Sequence, residues 1–219
     1  VGDIIVVNGT AGNFSAVSST VYTASITPTA NGVVSVSAAA GVAQDAATNS
    51  NLVSNTLSVT YDNTSPTVVV STTASNPTNT SPIPVTFTFS EAVTGFVVGD
   101  ITVVNGTAGN FTAVSSTVYT ASITPTANGV VSVSAAAGVA QDAATNNNLA
   151  SNTLSLTYDN TSPTVVVSTT ATSPTRTSPI PVTFTFSEAV TGFVVGDMIV
   201  VNGTAGNFVA VSSTVYTAS

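Results

Sequence analysis

The stretch VGDITVVNGTAGNF, residues 98–111, has two near-copies in the chain, VGDIIVVNGTAGNF at residues 1–14 and VGDMIVVNGTAGNF at residues 195–208. The copies are 97 residues apart, and self-similarity at a fixed period makes the chain an array of one unit. Outward from this stretch the likeness continues. Residues 1–62 align with 98–159 with five differences, Ile5/Thr102, Ser15/Thr112, Ser50/Asn147, Val53/Ala150 and Val59/Leu156. Residues 63–122 align with 160–219 with six, one of which, Asn79/Arg176, creates the only basic side chain. Copies this faithful in tandem suit a spacer that gains reach with each unit added. A catalytic domain has no reason to be copied in this way.

Within the period, short runs alternate apolar with small polar residues and are bounded by Gly, Pro, Asn and Asp, the pattern of half-buried antiparallel strands. The complete copy predicts seven strands, at 67–72, 84–90, 100–105, 110–116, 118–126, 129–136 and 153–158. Val85, Phe87 and Phe89 fall on one face opposite Thr86 and Thr88, and Tyr119, Ala121 and Ile123 oppose Thr120 and Ser122, so the two apolar sets are the predicted core. Asn105-Gly106 and Asn128-Gly129 predict tight hairpin turns, because both residue types accept positive φ. Seven strands in about 97 residues with Thr/Ser outer faces predict an all-β immunoglobulin-like sandwich, here without a Cys-Trp-Cys core. The sequence YDNTSPT, at residues 61–67 and 158–164, marks the boundaries. Residues 1–62 are then the C-terminal part of one repeat, 63–159 a complete repeat and 160–219 the N-terminal part of a third. The linkers are short, which predicts an extended rod of repeats.

Composition narrows the function. Hydrophobic residues make up 43% of the 219 but charged residues only 5%, against roughly a quarter in ordinary soluble domains. No Lys, His, Cys or Trp is present, which excludes Ser/His/Asp and Cys/His nucleophiles, Schiff-base lysines, CxxC redox pairs, His/Cys zinc sites and Lys–Asn isopeptide staples within this stretch. The expectation is that the chain is not an enzyme. Nine acids against one Arg give a net charge of -8, which disfavours nucleic acid and anionic membrane surfaces and makes metal cations the natural partners. The positive mean hydropathy of +0.47 comes from Val and Ala interleaved with Thr and Ser, and no apolar run reaches the roughly 18 residues that span a bilayer.

The segments FSEAVTGFVVGDITVVNGT (residues 89–107), SVSAAAGVAQDAATNNN (132–148) and YDNTSPTV (158–165) together resemble the bacterial Ig-like repeats of large surface adhesins and biofilm-associated proteins. The resemblance covers the whole chain. It implies extracellular, cell-surface tandem β-sandwich spacers, often stiffened by calcium at domain junctions. One departure stands in the acidic loop, where the family pattern resembles DAAGN and this chain has Thr145 in place of the glycine.

The acids carry the candidate site. If strands alternate in direction, Glu91 at the end of the second strand, Asp100 at the start of the third and Asp142 in the loop before the last all lie at the pole where the linker residue Asp62 enters. Plain solvated surface charges are the alternative. Carboxylates so gathered repel by as much as ~4 kcal/mol per pair at 4 Å with an effective dielectric near 20, and no base is near in sequence to offset it. With Asn, Thr and backbone carbonyls they offer the six to eight hard oxygens that suit Ca²⁺ better than Mg²⁺. Asp159, Glu188 and Asp197 repeat the arrangement at the second junction, and Asp3 and Asp45 are the matching half of a junction whose linker would precede residue 1. Glu91 and Asp100 as a glycosidase acid/base pair would need aromatic platforms and a groove that the sequence does not offer. The N-x-[ST] matches at Asn8, Asn63, Asn105 and Asn110 are explained by chance in so Asn- and Thr-rich a chain.

The sequence therefore predicts a structural, calcium-stiffened stalk or fibre whose partners are neighbouring repeats of the same chain. The alternatives are a subunit of a polymeric filament or surface lattice of identical chains, and a glycan- or protein-binding module, which the near-invariant loops disfavour. The chain is expected to be a window in a longer polypeptide.

Overall fold

The computed structural model describes residues 2–219, which divide into two compact units, residues 2–159 and Asn160–Ser219. The first unit runs through β1 (Ile4–Val7), β2 (Gly9–Ala16), β3 (Tyr22–Pro28), β4 (Gly32–Ala38) and β5 (Leu57–Tyr61). It continues with β6 (Val68–Ser71), β7 (Ile83–Phe89), β8 (Ile101–Val104), β9 (Gly106–Ala113), β10 (Val118–Pro125), β11 (Gly129–Ala135) and β12 (Leu154–Tyr158). β6 to β12 form two antiparallel sheets, a four-stranded one in the order β6-β7-β10-β9 and a three-stranded one in the order β12-β11-β8. This is the four-plus-three arrangement of an immunoglobulin-like sandwich.

The core follows from period-two alternation. Val85, Phe87 and Phe89 of β7 and Tyr119, Ala121 and Ile123 of β10 are all buried, facing Val131, Val133 and Leu156 of the other sheet. Phe96, in the loop before β8, sits at the hub of an aromatic cluster, with ring centroids 5.2–5.6 Å from Phe87, Phe89, Phe111 and Tyr119. Most of these rings meet edge-on or tilted, as their quadrupoles prefer. The Tyr119 hydroxyl donates to the Val93 carbonyl at 3.0 Å, so the polar end of a buried ring is satisfied.

Three expectations need correction. The fourth strand begins at Gly106 rather than residue 110, because a bulge beside Asn110 (φ 48°) lets the chain stay paired to β10 on both sides of the irregularity. It ends at Ala113, where the Ser115 side chain accepts the Thr117 and Val118 N–H groups and turns the chain. The third strand begins at Ile101, since residues Val98–Asp100 form a 3-10 turn. Finally, Asn105-Gly106 and Asn128-Gly129 are not hairpin turns: β8 and β9 lie in different sheets, as do β10 and β11. Both dipeptides are corners where the chain changes sheet. They are stapled together, because Asn105 Nδ2 donates to the Ala127 carbonyl at 2.9 Å and the Asn105 carbonyl accepts the Thr126 N–H. A Cβ on Gly106 would lie 3.0 Å from the Thr124 carbonyl oxygen, so a side chain there would require that backbone to give way.

Residues 1–62 repeat the second half of this plan, with β1-β4-β5 in one sheet and β2-β3 in the other. The second unit repeats the first half: β13 (Val165–Ser168), β14 (Val182–Phe186), β15 (Val209–Ala210) and β16 (Val215–Ala218) form a sheet in the order β13-β14-β16-β15. Residues 198–201 align with β8 yet form no strand, and Ile199 is exposed. β8 is held by β11, and among the described residues of this unit β11 has no counterpart.

Candidate functional site

Three of the acids meet. One carboxylate oxygen each from Asp62, Glu91 and Asp142 lies within 4.8 Å of the other two. Asp62 follows β5 in the linker, Glu91 follows β7 by two residues, and Asp142 lies in the long loop between β11 and β12. The antiparallel order of the sheets carries the ends of β7 and β11 to the pole where the linker arrives.

Each side chain is oriented by neighbours. Asp62 Oδ1 accepts the Asn31 Nδ2 at 2.8 Å and the Thr64 N–H at 2.9 Å, while Asn31 Oδ1 takes the Asn63 N–H at 3.1 Å. Asn31, in the β3–β4 turn, thus grips the linker from the preceding repeat. Asp142 is buried; its Oδ1 accepts the Ala144 and Asn146 N–H groups at 2.8 and 2.9 Å, and its Oδ2 accepts Asn146 Nδ2 at 2.8 Å. The same Asn146 amide donates to the Asp62 carbonyl at 3.2 Å, joining the loop to the linker. Beneath this loop the buried Asn148 makes four bonds, accepting from Val139 and Ala140 N–H and donating to the Ala136 and Leu149 carbonyls. Glu91 is positioned by its neighbour, for Ser90 exchanges two bonds with Thr67 at the start of the following repeat.

The electrostatics differ between members of the cluster. Desolvation pushes the Glu91 carboxyl above its ordinary value, and the negative charges of Asp142 and Asp62 push the same way. Burial also acts to raise Asp142, but hydrogen bonds from the Asn146 side chain and from the backbone at Asn146, Ala144 and Thr145 outweigh it and hold this carboxyl low. Asp142 is therefore a fixed negative charge, and Glu91 is the member whose ionisation the others resist.

The remaining acids are placed as follows. Asp100 is not in the group; its Oδ2 accepts the Val97 N–H at 2.8 Å and closes the 3-10 turn before β8. Asp197 does the same for Val194 N–H. Asp45, the counterpart of Asp142, accepts the Ala47 and Asn49 N–H groups and the Asn49 side-chain amide, and the Asn49 bonds hold its carboxyl low. Asp3 lies in the turn before β1. Asp159 accepts Asn128 Nδ2 at 2.8 Å, as Asp62 accepts Asn31, and belongs to the first unit, whereas Glu188 and Asp197 belong to the second. The sequence reading missed the three asparagines Asn31, Asn146 and Asn148. Their signal was only their recurrence at 97-residue spacing as Asn128, Asn49 and Asn51, and in a chain this rich in asparagine that recurrence does not separate an amide that orients a carboxylate from one that shapes a turn.

The family described as Bacterial Ig-like domain matches three times in tandem, at residues 1–61, 62–158 and 159–219. Among curated proteins none matches the chain. A solved structure of FdeC, described as a broadly conserved Escherichia coli adhesin, is similar over 98% of this chain and 74% of its own, with 16% sequence identity and a TM-score of 0.43. The matches leave no residue of the chain outside a repeat, and the four-plus-three sandwich agrees with them: the chain belongs to the bacterial Ig-like domain family.

Proposed function

We propose that the chain is a structural segment of an extracellular, cell-surface adhesin stalk in bacteria, and that a calcium ion held between repeats stiffens it. The observation that carries the reading is the Asp62–Glu91–Asp142 cluster, drawn from the linker and from two loops of the following repeat. Two oxygens bound to one Ca²⁺ lie no more than about 5.2 Å apart, given calcium–oxygen distances of roughly 2.3–2.6 Å, so a spread of 4.8 Å fits a common ion. The donors are hard oxygens, and the chain's one basic residue, Arg176, belongs to the other unit. A bound Ca²⁺ would neutralise the charge that opposes Glu91 ionisation. Asp62, Glu91 and Asp142 would hold it, with Asn31 and Asn146 fixing the carboxylates they touch.

Because Asp62 belongs to the linker while Glu91 and Asp142 belong to the sandwich, the ion acts on the angle between repeats more than on either core. For this chain, EGTA is expected to broaden the small-angle scattering profile and to lower the melting temperature, since a ligand bound only to the native state stabilises by mass action. Asp142→Ala is expected to abolish the calcium response. Asp100→Ala is expected to keep it while losing some stability, because its carboxylate caps a turn instead. A scattering profile and melting point indifferent to calcium would overturn the reading.

A further inference from the structure

The complete repeat is entered just after Asp62 and left at Asp159, and the segments next to these two points lie side by side. β6 is an edge of the four-stranded sheet and β12 an edge of the three-stranded one. After Ser71 the chain leaves the first sheet and reaches the second, where Thr78 makes a parallel bridge to Tyr158.

Six hydrogen bonds tie residues 66–78 to residues 149–159. At the start of the pair the Leu149 N–H donates to the Pro66 carbonyl at 2.8 Å. In the middle Asn152 takes both polar groups of Val70: its Oδ1 accepts the Val70 N–H at 2.8 Å and its Nδ2 donates to the Val70 carbonyl at 3.0 Å. At the end Asn76 Oδ1 accepts the Thr157 N–H at 2.9 Å. There the buried Thr78 also donates its N–H to the Thr157 carbonyl and accepts the Asp159 N–H on its own carbonyl, both at 2.9 Å. Asn76 and Asn152 lie outside the strands and take no part in the acidic cluster; their amides stand in for ladder bonds.

The partners advance together, 66 with 149, 70 with 152, 76 with 157 and 78 with 159, so the two segments run in one direction. That direction decides how tension acts. A pull through residue 62 draws the first segment back toward its N-terminal end, and a pull through residue 159 draws the last segment on toward its C-terminal end. The segments must slide past each other, and the bonds between them lie across the pull and share it. Peeling, which breaks such bonds one after another, would need both pulls at the same pole.

We propose that this parallel pair is a force-bearing clamp, which keeps the repeat folded when its neighbours are pulled apart, and that Asn76 and Asn152 are its side-chain members. That the chain meets tension rests on the stalk reading above; the clamp itself rests on the six bonds and needs no cation. Forced unfolding is governed by the unfolding rate rather than by equilibrium stability. A lesion in the clamp therefore costs mechanical resistance out of proportion to its effect on melting.

The test uses the whole chain, which has no cysteine of its own, so introduced cysteines fix where the handles of an optical tweezer attach. Asn63→Cys with Ser162→Cys loads the parallel pair in shear, while Asn63→Cys with Ala150→Cys pulls from one pole and opens it from the end. All three positions are exposed. At one loading rate the first geometry is expected to unfold at a several-fold higher force than the second. Asn76→Ala with Asn152→Ala removes three of the six bonds and is expected to lower the first force by about half. Tyr119→Phe removes the buried bond to Val93, away from the pair, and is expected to lower the melting temperature while keeping that force. The calcium response of the scattering profile is expected to survive in the double asparagine variant, so the clamp and the calcium reading fail separately. Equal forces in the two geometries, or a Tyr119→Phe chain weakened as much as the double variant, would overturn the proposal.

Discussion

At the residue scale, the position of the family's glycine is informative. Thr145 has φ 69°, and its counterpart Thr48 has φ 63°, a left-handed conformation that costs an L-residue about 1–2 kcal/mol and a β-branched one no less. Thr145→Gly is expected to stabilise the first unit by about 1 kcal/mol, after allowing for glycine's greater unfolded-state freedom, as read by urea titration. Glu91 gives a pH signature of opposite sign to Asp142. A carboxyl raised in the folded state favours folding below its ordinary value of 4.5, and that contribution is lost as pH rises through the raised folded value. Asp142, held low, contributes above its ordinary 3.8, and its contribution is lost as pH falls through the lowered folded value. Without divalent cations, Glu91→Gln is therefore expected to raise the melting temperature at neutral pH and to flatten its decline between pH 4.5 and neutrality. With calcium the same variant is expected to lose the ion's stabilising increment, so its ranking against wild type inverts.

At the element scale, the loop between β11 and β12 is kept in place by Asn148 rather than by strand pairing. Its amide satisfies two N–H groups and two carbonyls, and it is 1% exposed. Removing one partner from a buried hydrogen bond leaves the other unsatisfied at about 1–3 kcal/mol, so Asn148→Ala is expected to cost about 3 kcal/mol overall. Because that loop carries Asp142, the variant's calcium response should weaken as well, which separates it from a plain core lesion. Phe96→Ala supplies the comparison: it removes the hub of the aromatic cluster, at about 3–5 kcal/mol, and is expected to leave the calcium increment intact. Differential scanning calorimetry with and without calcium reads both variants.

At the scale of the whole molecule, the junction between residues 1–62 and the complete repeat is held by amides as well as acids. Asn31 reaches the linker from the preceding repeat and Asn146 reaches it from the following one. These bonds join protein groups and need no cation, so a double Asn31→Ala, Asn146→Ala chain in EGTA is expected to sample a wider range of angles across this junction than wild type in EGTA. Spin labels on residues 33 and 130, exposed positions of β4 and β11, would report it as a broadened distance distribution. An unchanged distribution would mean that backbone pairing alone fixes the junction.

The sequence by itself determined the repeat, the all-β class, the alternating core of Val85, Phe87, Phe89, Tyr119, Ala121 and Ile123, and the meeting of linker and loops at one pole. Each of these depends on periodicity, which is written in the order of residues. Tertiary structure alone decided the rest. Asn-Gly pairs look the same whether they close a hairpin or turn a corner between sheets, and Asn105 and Asn128 do the latter because β8 and β9, and β10 and β11, find partners far away in sequence. Strand parity brought Asp100 to the same pole as Glu91 but could not fix where its side chain points; the nearer Val97 N–H captured it. The roles of Asn31, Asn146 and Asn148 were invisible for the same reason. An amide's partner is set by what the fold brings within about 3 Å, and for Asn146 and Asp62 that is a contact across 84 residues of chain.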